Sequence, residues 1–123
     1  MDNLYARSVF FISDVERSRR FYTEQLGCSF DWDSNDGVFQ VGLFGLELIL
    51  NDTGESTRSR VGHGRVFIGL EDDQAAVLRK HFAERGVRGS RVEWGRPTLL
   101  IADPDGNQLF FWFPKDEFVD LLQ

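Results

Sequence analysis

Hydrophobic and polar residues recur in the same order twice along the chain. Arg7-Ser8-Val9-Phe10-Phe11-Ile12 leads into a helical pattern that stops at Leu26-Gly27, and Arg65-Val66-Phe67-Ile68-Gly69-Leu70 leads into one that stops at Arg85-Gly86. The offset is 58 residues at the strand starts and 59 at the glycines, so the register holds with one inserted residue. β-Branched and aromatic residues bounded by polar ones predict a β-strand for each opening segment. In the first helix, Ser13 is the expected N-cap, with Glu16 three residues on completing a capping box. Its buried face is expected to hold Val15, Phe21, Tyr22 and Leu26; the second helix starts at Asp72 or Asp73 and turns Ala75, Ala76, Leu78 and Phe82 inward.

Three more strands follow each helix. They are predicted at Cys28–Asp33, Val38–Leu43 and Leu46–Leu50 in the first unit, and at Arg91–Glu93, Thr98–Ile101 and Gln108–Phe113 in the second. Turns fall at Ser34–Gly37 and Gly45; the polar stretch Asn51–Arg60 reads as the connector, and Lys115–Leu122 as a short terminal helix. This is an α+β chain with internal repeats at about 5–51 and 63–114, expected to form one domain over 1–123.

Strand side chains alternate between faces. One face collects Phe10 and Ile12, Val66, Ile68 and Leu70, and Leu46, Leu48 and Leu50, and is expected to pack under the helices. The other collects Arg7, Val9 and Phe11, Arg65, Phe67 and Gly69, and Glu47, Ile49 and Asn51. Phe110 and Trp112 join this mixed face by alternation; Trp32 and Phe39 come from the hairpin strands, and Trp94 from the edge before Gly95-Arg96.

Before the last strand stands Asp103-Pro104-Asp105-Gly106-Asn107, whose Pro presets φ, whose Asp and Asn bond their own backbone, and whose Gly accepts φ > 0. This turn and the Gln108–Phe113 strand, with Ser13-Asp14-Val15-Glu16-Arg17-Ser18, Phe21-Tyr22 and Leu26-Gly27 in the same order and spacing, resemble the vicinal oxygen chelate superfamily of glyoxalases, extradiol dioxygenases and bleomycin-resistance proteins. The resemblance covers nearly the whole chain. It implies two tandem βαβββ units forming a curved, partly open eight-stranded sheet with helices outside. It also implies four metal-ligand positions on the concave face, which here hold Arg7, Glu47, Arg65 and Phe110. Only Glu47 keeps a ligand type, and a site of this kind needs at least three suitable donors. No metal and no other cofactor is therefore expected. The three charges are expected either to form an ion cluster where the metal would sit, or to let both arginines reach solvent. His63, in the connector, and His81, expected at the helix surface, do not restore the set.

Composition narrows the function further. A net charge of −6 argues against nucleic acid, which needs a basic stripe, and tilts the chain toward neutral or cationic ligands. The single cysteine, Cys28, excludes an internal disulfide and reads as structural; no apolar run is long enough to span a bilayer, and with no leader pattern at the start the cytoplasm is the expected compartment. Twelve Phe and three Trp supply more ring surface than a core of this size needs. Rings on the concave face suit a planar ligand, and Asp31, Asp33, Asp36 and Glu93 suit a cationic one.

Two functions follow. In the first, the chain resembles metal-free bleomycin-resistance proteins and sequesters an aromatic or cationic small molecule, such as an antibiotic, in an aromatic groove of a homodimer. Its ligand-binding residues are then Arg7, Phe11, Trp32, Phe39, Glu47, Asn51, Arg65, Phe67, Trp94, Phe110 and Trp112. In the second, the chain is a glyoxalase-like lyase, isomerase or dioxygenase with a degenerate metal site, Glu47 its base or last ligand, and Asn51 at a position that holds the thiol cofactor in some glyoxalases.

Overall fold

A computed structural model describes residues 4–123. Strand β1 (Ser8–Phe11) is followed by helix α1 (Val15–Arg20), strands β2 (Ser29–Asp33), β3 (Val38–Leu43) and β4 (Leu46–Asn51). The second repeat is β5 (Arg65–Gly69), α2 (Asp72–Glu84), β6 (Ser90–Glu93), β7 (Pro97–Ala102) and β8 (Gln108–Trp112). The eight strands form two four-stranded sheets of identical topology, ordered β1-β4-β3-β2 and β5-β8-β7-β6. In each, the first strand runs parallel to the last and the rest are antiparallel. The repeat in the sequence is thus a repeat in the fold.

Several local expectations are corrected. The N-cap of α1 is Asp14, whose Oδ1 accepts from the Arg17 amide at 3.0 Å; Ser13 is drawn off to Asp105 instead. The helix ends in a widened turn, Phe21–Gln25, closed by an i→i+5 bond from Leu26 N to Phe21 O at 2.9 Å. Ala76 is exposed, because on α2 the inward stripe is Ala75, Leu78 and Phe82. The polar connector is wound into a 3₁₀ segment over Gly54–Arg60, and of the terminal helix only the turn Val119–Leu121 forms. Among the described residues no helix is long and apolar enough to cross a membrane.

Phe10, Ile12, Tyr22, Leu48, Leu50, Phe82, Leu99 and Phe111 belong to one continuous core drawn from both repeats. Phe10 meets the second repeat directly: a Cβ at Gly64 would fall within 3.0 Å of its ring and of Asn107 Oδ1, so only glycine permits that approach. The Asp103–Asn107 turn clamps the seam. Asp103 Oδ1 accepts from the Asp105 and Asn107 amides, both at 2.9 Å, and Oδ2 accepts from Tyr22 Oη at 2.8 Å and Asn107 Nδ2 at 2.9 Å. Asn107 also donates to Phe11 O at 3.0 Å and accepts from Gly64 N at 2.8 Å. Burial and the Asp103 carboxylate together push the Tyr22 hydroxyl well above its ordinary pKa. Tyr22 is a cross-repeat strut.

Candidate functional site

Strand register decides what each repeat presents on the face turned away from the core. In the first repeat, Phe11 lies beside Asn51, Val9 beside Ile49, and Gln40 beside Ile49 from the other side. Phe39 lies beside Leu50, 1% exposed, and packs in the core. The expectation that Phe39 lines the site is therefore wrong by one residue. Its neighbour Gln40 takes the place, only 3% exposed.

Gln40 organises the charges of this face. Its Nε2 donates to Glu47 Oε2 at 2.9 Å and to Asp31 Oδ2 at 3.0 Å, and its Oε1 accepts from Arg7 Nη1 at 2.8 Å. One amide thus uses both N–H groups and its carbonyl, which is what makes its burial tolerable. Of the two arrangements expected of Arg7, Glu47 and Arg65, the ion cluster does not form and both arginines are exposed: Gln40 stands between Arg7 and Glu47, and Arg65 belongs to the other repeat, where its Nε donates to Gln108 Oε1 at 3.1 Å. Trp32, paired with Gln40, stays 39% exposed above this network, and Phe11 is half-buried with the Arg60 guanidinium 5.5 Å from its ring centre. Asn51 Oδ1 is buried with no hydrogen-bond partner among the described residues.

The second repeat presents rings instead. Parallel register sets Phe67 beside Phe110 and Gly69 beside Trp112. From the β6–β7 turn, Trp94 lies over both phenylalanines, 5.3 Å from Phe67 with the rings 21° apart and 4.6 Å from Phe110 at 30°. Phe67 also meets Trp112 at 5.5 Å. Phe110 is 2% exposed yet stands apart from the core cluster, because Trp94 covers it. Trp94 and Phe67 keep about two-fifths of their surface open, at 42% and 41%. Guanidiniums bracket the stack: Arg65 lies 5.5 Å from Phe110 and 5.8 Å from Trp94, and Arg96 sits 3.6 Å over Trp112.

The four positions that the resemblance assigns to metal ligands thus hold two guanidiniums, one carboxylate already engaged by an amide, and a phenyl ring under an indole. That donor set does not fit a divalent cation. Among the described residues no three of His, Cys, Asp and Glu gather within reach of one ion. His63 is exposed; His81, expected at the surface, is half-buried, with Nε2 2.8 Å from Leu26 O and its ring against Phe44. Cys28 is buried, and desolvation, helped by Asp31, pushes its thiol up to about 12. It is no nucleophile at neutral pH.

Arg7, Glu47, Asn51, Phe11 and Trp32 share the first repeat's face; Arg65, Phe67, Trp94, Phe110 and Trp112 share the second's. Gln40 and Arg96 were not counted as site residues from the sequence, and Asp31, expected to attract a cationic ligand, is engaged by Gln40. The signal for Gln40 was present: a lone amide between Phe39 and Val41 marks the polar phase of that strand.

Comparison with known proteins agrees with this architecture. The family model of the Glyoxalase/Bleomycin resistance protein/Dioxygenase superfamily matches residues 5–111. A bleomycin-binding protein from Streptomyces verticillus, solved with copper(II)-bleomycin, superposes with a TM-score of 0.67 at 17% identity, over 94% of this chain and 99% of that one. TnmS3, an antibiotic-binding protein from Streptomyces sp. CB03234, is 25% identical with a TM-score of 0.60, over 94% and 100%. A lactoylglutathione lyase from Agrobacterium tumefaciens is similar at 18% identity with a TM-score of 0.64, over 89% and 92%. No curated protein matches the chain.

Proposed function

The chain belongs to the Glyoxalase/Bleomycin resistance protein/Dioxygenase superfamily, and we propose that within it this protein binds a small aromatic molecule, without a metal ion and without turning it over. The observation that carries the reading is Phe110, a ring under Trp94 at the position where a metal enzyme of the family places a carboxylate. A stack with two half-open rings offers a planar ligand dispersion and ring contact over an area that water otherwise wets. Antibiotic binding by similar proteins supports the ligand class at the level of small molecules. We place the protein in the cytoplasm, as one domain and as a homodimer whose second copy walls the groove.

Metal analysis of protein purified without chelators tests the reading most directly. Substoichiometric Ni, Zn, Fe and Mn is the expected result, and near-stoichiometric content of any one overturns it. Phe110→Glu should yield no tight divalent site, because Arg65 and Arg7 still occupy two of the four positions. Trp112→Ala should weaken binding of a planar acridine probe by about 1–3 kcal/mol; unchanged affinity places the ligand elsewhere. A sedimentation profile with only the 14.2 kDa species would count against the homodimer. A glyoxalase-like lyase, isomerase or dioxygenase is the second reading, favoured by the unpartnered Asn51 Oδ1 on the face that carries Glu47. Turnover of a hemithioacetal abolished by Glu47→Gln would establish it.

A further inference from the structure

We infer that the apolar groove between the β3–β4 turn, β5 and α2 is a second binding site, separate from the ring stack, for an aliphatic amine whose chain lies in the groove and whose ammonium meets Asp73. The groove holds about 460 Å³, within the range of small-molecule sites. Helix α2 sets its axis. Asp73 and Gln74 line it from the first turn and Val77 and Leu78 from the next, as residues four apart share a helix face. One turn further stands His81, with Phe44 edge-on against it at 5.2 Å between ring centres. Asp73 and Phe44 therefore mark opposite ends, about 12 Å apart along the helix at 1.5 Å per residue. The other wall is β5, an edge strand whose core-phase residues Val66, Ile68 and Leu70 are only half-buried. Branched aliphatic side chains make up most of the lining, a surface that suits a flexible chain better than a flat ring.

Phe44 marks the groove as more than a gap in packing. Leu43 pairs with Leu46, so Phe44 and Gly45 form a two-residue hairpin loop, with φ of 49° and 91°. Two central residues at φ > 0 make a type I′ turn, whose first position favours Asn, Asp or Gly. A phenylalanine there is strained, and this one is also 63% exposed. The edge-on contact with His81 offsets those costs only in part, whereas a chain in the groove would take the ring as its end wall. At the matching junction the protein fills the place itself: Asp105 reaches Ser13 and Arg17, and Asn107 reaches Phe11 O.

Charge decides the other end. Asp73 is the one charged side chain that lines the groove. Among the described residues it forms no salt bridge, and its Oδ1 accepts from the Gln74 amide at 3.0 Å while Oδ2 is left to a ligand. Glu71 and Asp72 precede it in the chain, so the local field is more negative than a helix N-terminus can offset. An ammonium is drawn to this end and a carboxylate repelled, and the net charge of −6 acts in the same direction.

The test titrates decylammonium, 1-decanol and decanoate, each below its aggregation limit, into the full chain by calorimetry. Decylammonium should bind about tenfold more tightly than decanoate, with 1-decanol between them, since one solvated carboxylate attracts the first and repels the last. Asp73→Asn should bring the three within about threefold of one another, and molar salt should compress the native preference. Phe44→Asn should weaken all three by roughly threefold to tenfold as the end wall is lost. Its urea midpoint should hold or rise, because Asn-Gly suits the turn; a ring that only braced the hairpin would lower it. Decanoate binding as tightly as decylammonium, a preference untouched by Asp73→Asn, or Phe44→Asn with full affinity or a lowered midpoint each overturns the inference. So does failure of all three probes to bind, the result expected where a second copy of the chain closes the groove.

Discussion

Where the β7–β8 turn of the second repeat meets α1, it arrives as a five-residue loop of carboxylates and amides; where the β3–β4 turn of the first meets α2, it arrives as Phe44-Gly45 alone. At the first junction Asp103 takes four hydrogen bonds, and the buried Asp105 binds Ser13 and, at 2.9 Å, Arg17. At the second, Phe44 rests edge-on against His81 and stays 63% exposed, and the space between the turn, β5 and α2 remains an apolar groove of about 460 Å³ lined by Leu46, Ile68, Val77 and Leu78. Equal topology therefore does not mean equal cohesion. The β7–β8 turn ties the repeats by polar groups that are satisfied only when the whole turn is in place, beside the shared core and the bonds of His81 and Arg85 to the Leu26, Gln25 and Glu24 carbonyls.

The sharpest way to break this comparison is Asp103→Ala. It leaves the Tyr22 hydroxyl, two backbone amides and the Asn107 side chain short of an acceptor at a buried site, and should cost at least about 3 kcal/mol in urea unfolding. A loss below about 1 kcal/mol would mean that the turn is not a clamp. Next is Gln40→Leu, which sets Glu47 and Asp31 on one face without their shared donor and frees Arg7. The expected loss in urea unfolding is about 1–3 kcal/mol; no loss would relegate the network to the surface.

A smaller effect is read in alkali. Cys28 rises from 9.0 to about 12 and Tyr22 rises above its usual 10.0, so the unfolded chain releases protons the folded chain retains. Their contribution is complete below pH 9 and is lost as pH rises toward 12. Stability should fall across that interval, less steeply in Cys28→Ala, and a thiol reagent at pH 8 should react with Cys28 only on unfolding. Equal slopes in the two proteins would show that the thiol is not the titrating group. The smallest effect belongs to Phe44→Ala, within about 1 kcal/mol, since most of the ring is already in water; a larger loss would make the two junctions equals.

Much of this comparison was legible in the sequence, and the rest was hidden for identifiable reasons. Alternation put Phe10 and Leu48 in the core and Phe67 with Phe110 and Trp112 opposite, because β1, β4, β5 and β8 carry apolar residues in phase. It was not applied to Phe39, where Gln40 marks the polar phase of the strand and pairing with Leu50 puts the ring in the core. Ser13 looked like a cap, and nothing local told that Asp105, 92 positions on, would claim it. Whether Arg7, Glu47 and Arg65 cluster was left open for a similar reason: Gln40 reaches Glu47 and Arg7 only once β3 lies beside β4. Proximity in the chain was legible; competition for the same donor across the seam was not.

The Gly54–Arg60 connector contributes no buried residue, while the bonds of Asp103, Asn107 and Phe10 cross between the repeats without passing through it. The covalent link is thus the weakest tie between halves that recognise each other through a buried surface. Cut between Ser56 and Thr57, the chain should behave as a complementing fragment pair: neither peptide folded alone, the mixture recovering native circular dichroism. Asp103→Ala in the C-terminal peptide should abolish that recovery, and fragments that stay unfolded together would show that the connector is needed after all. Such a pair would turn the clamp from a source of stability into a switch for assembly.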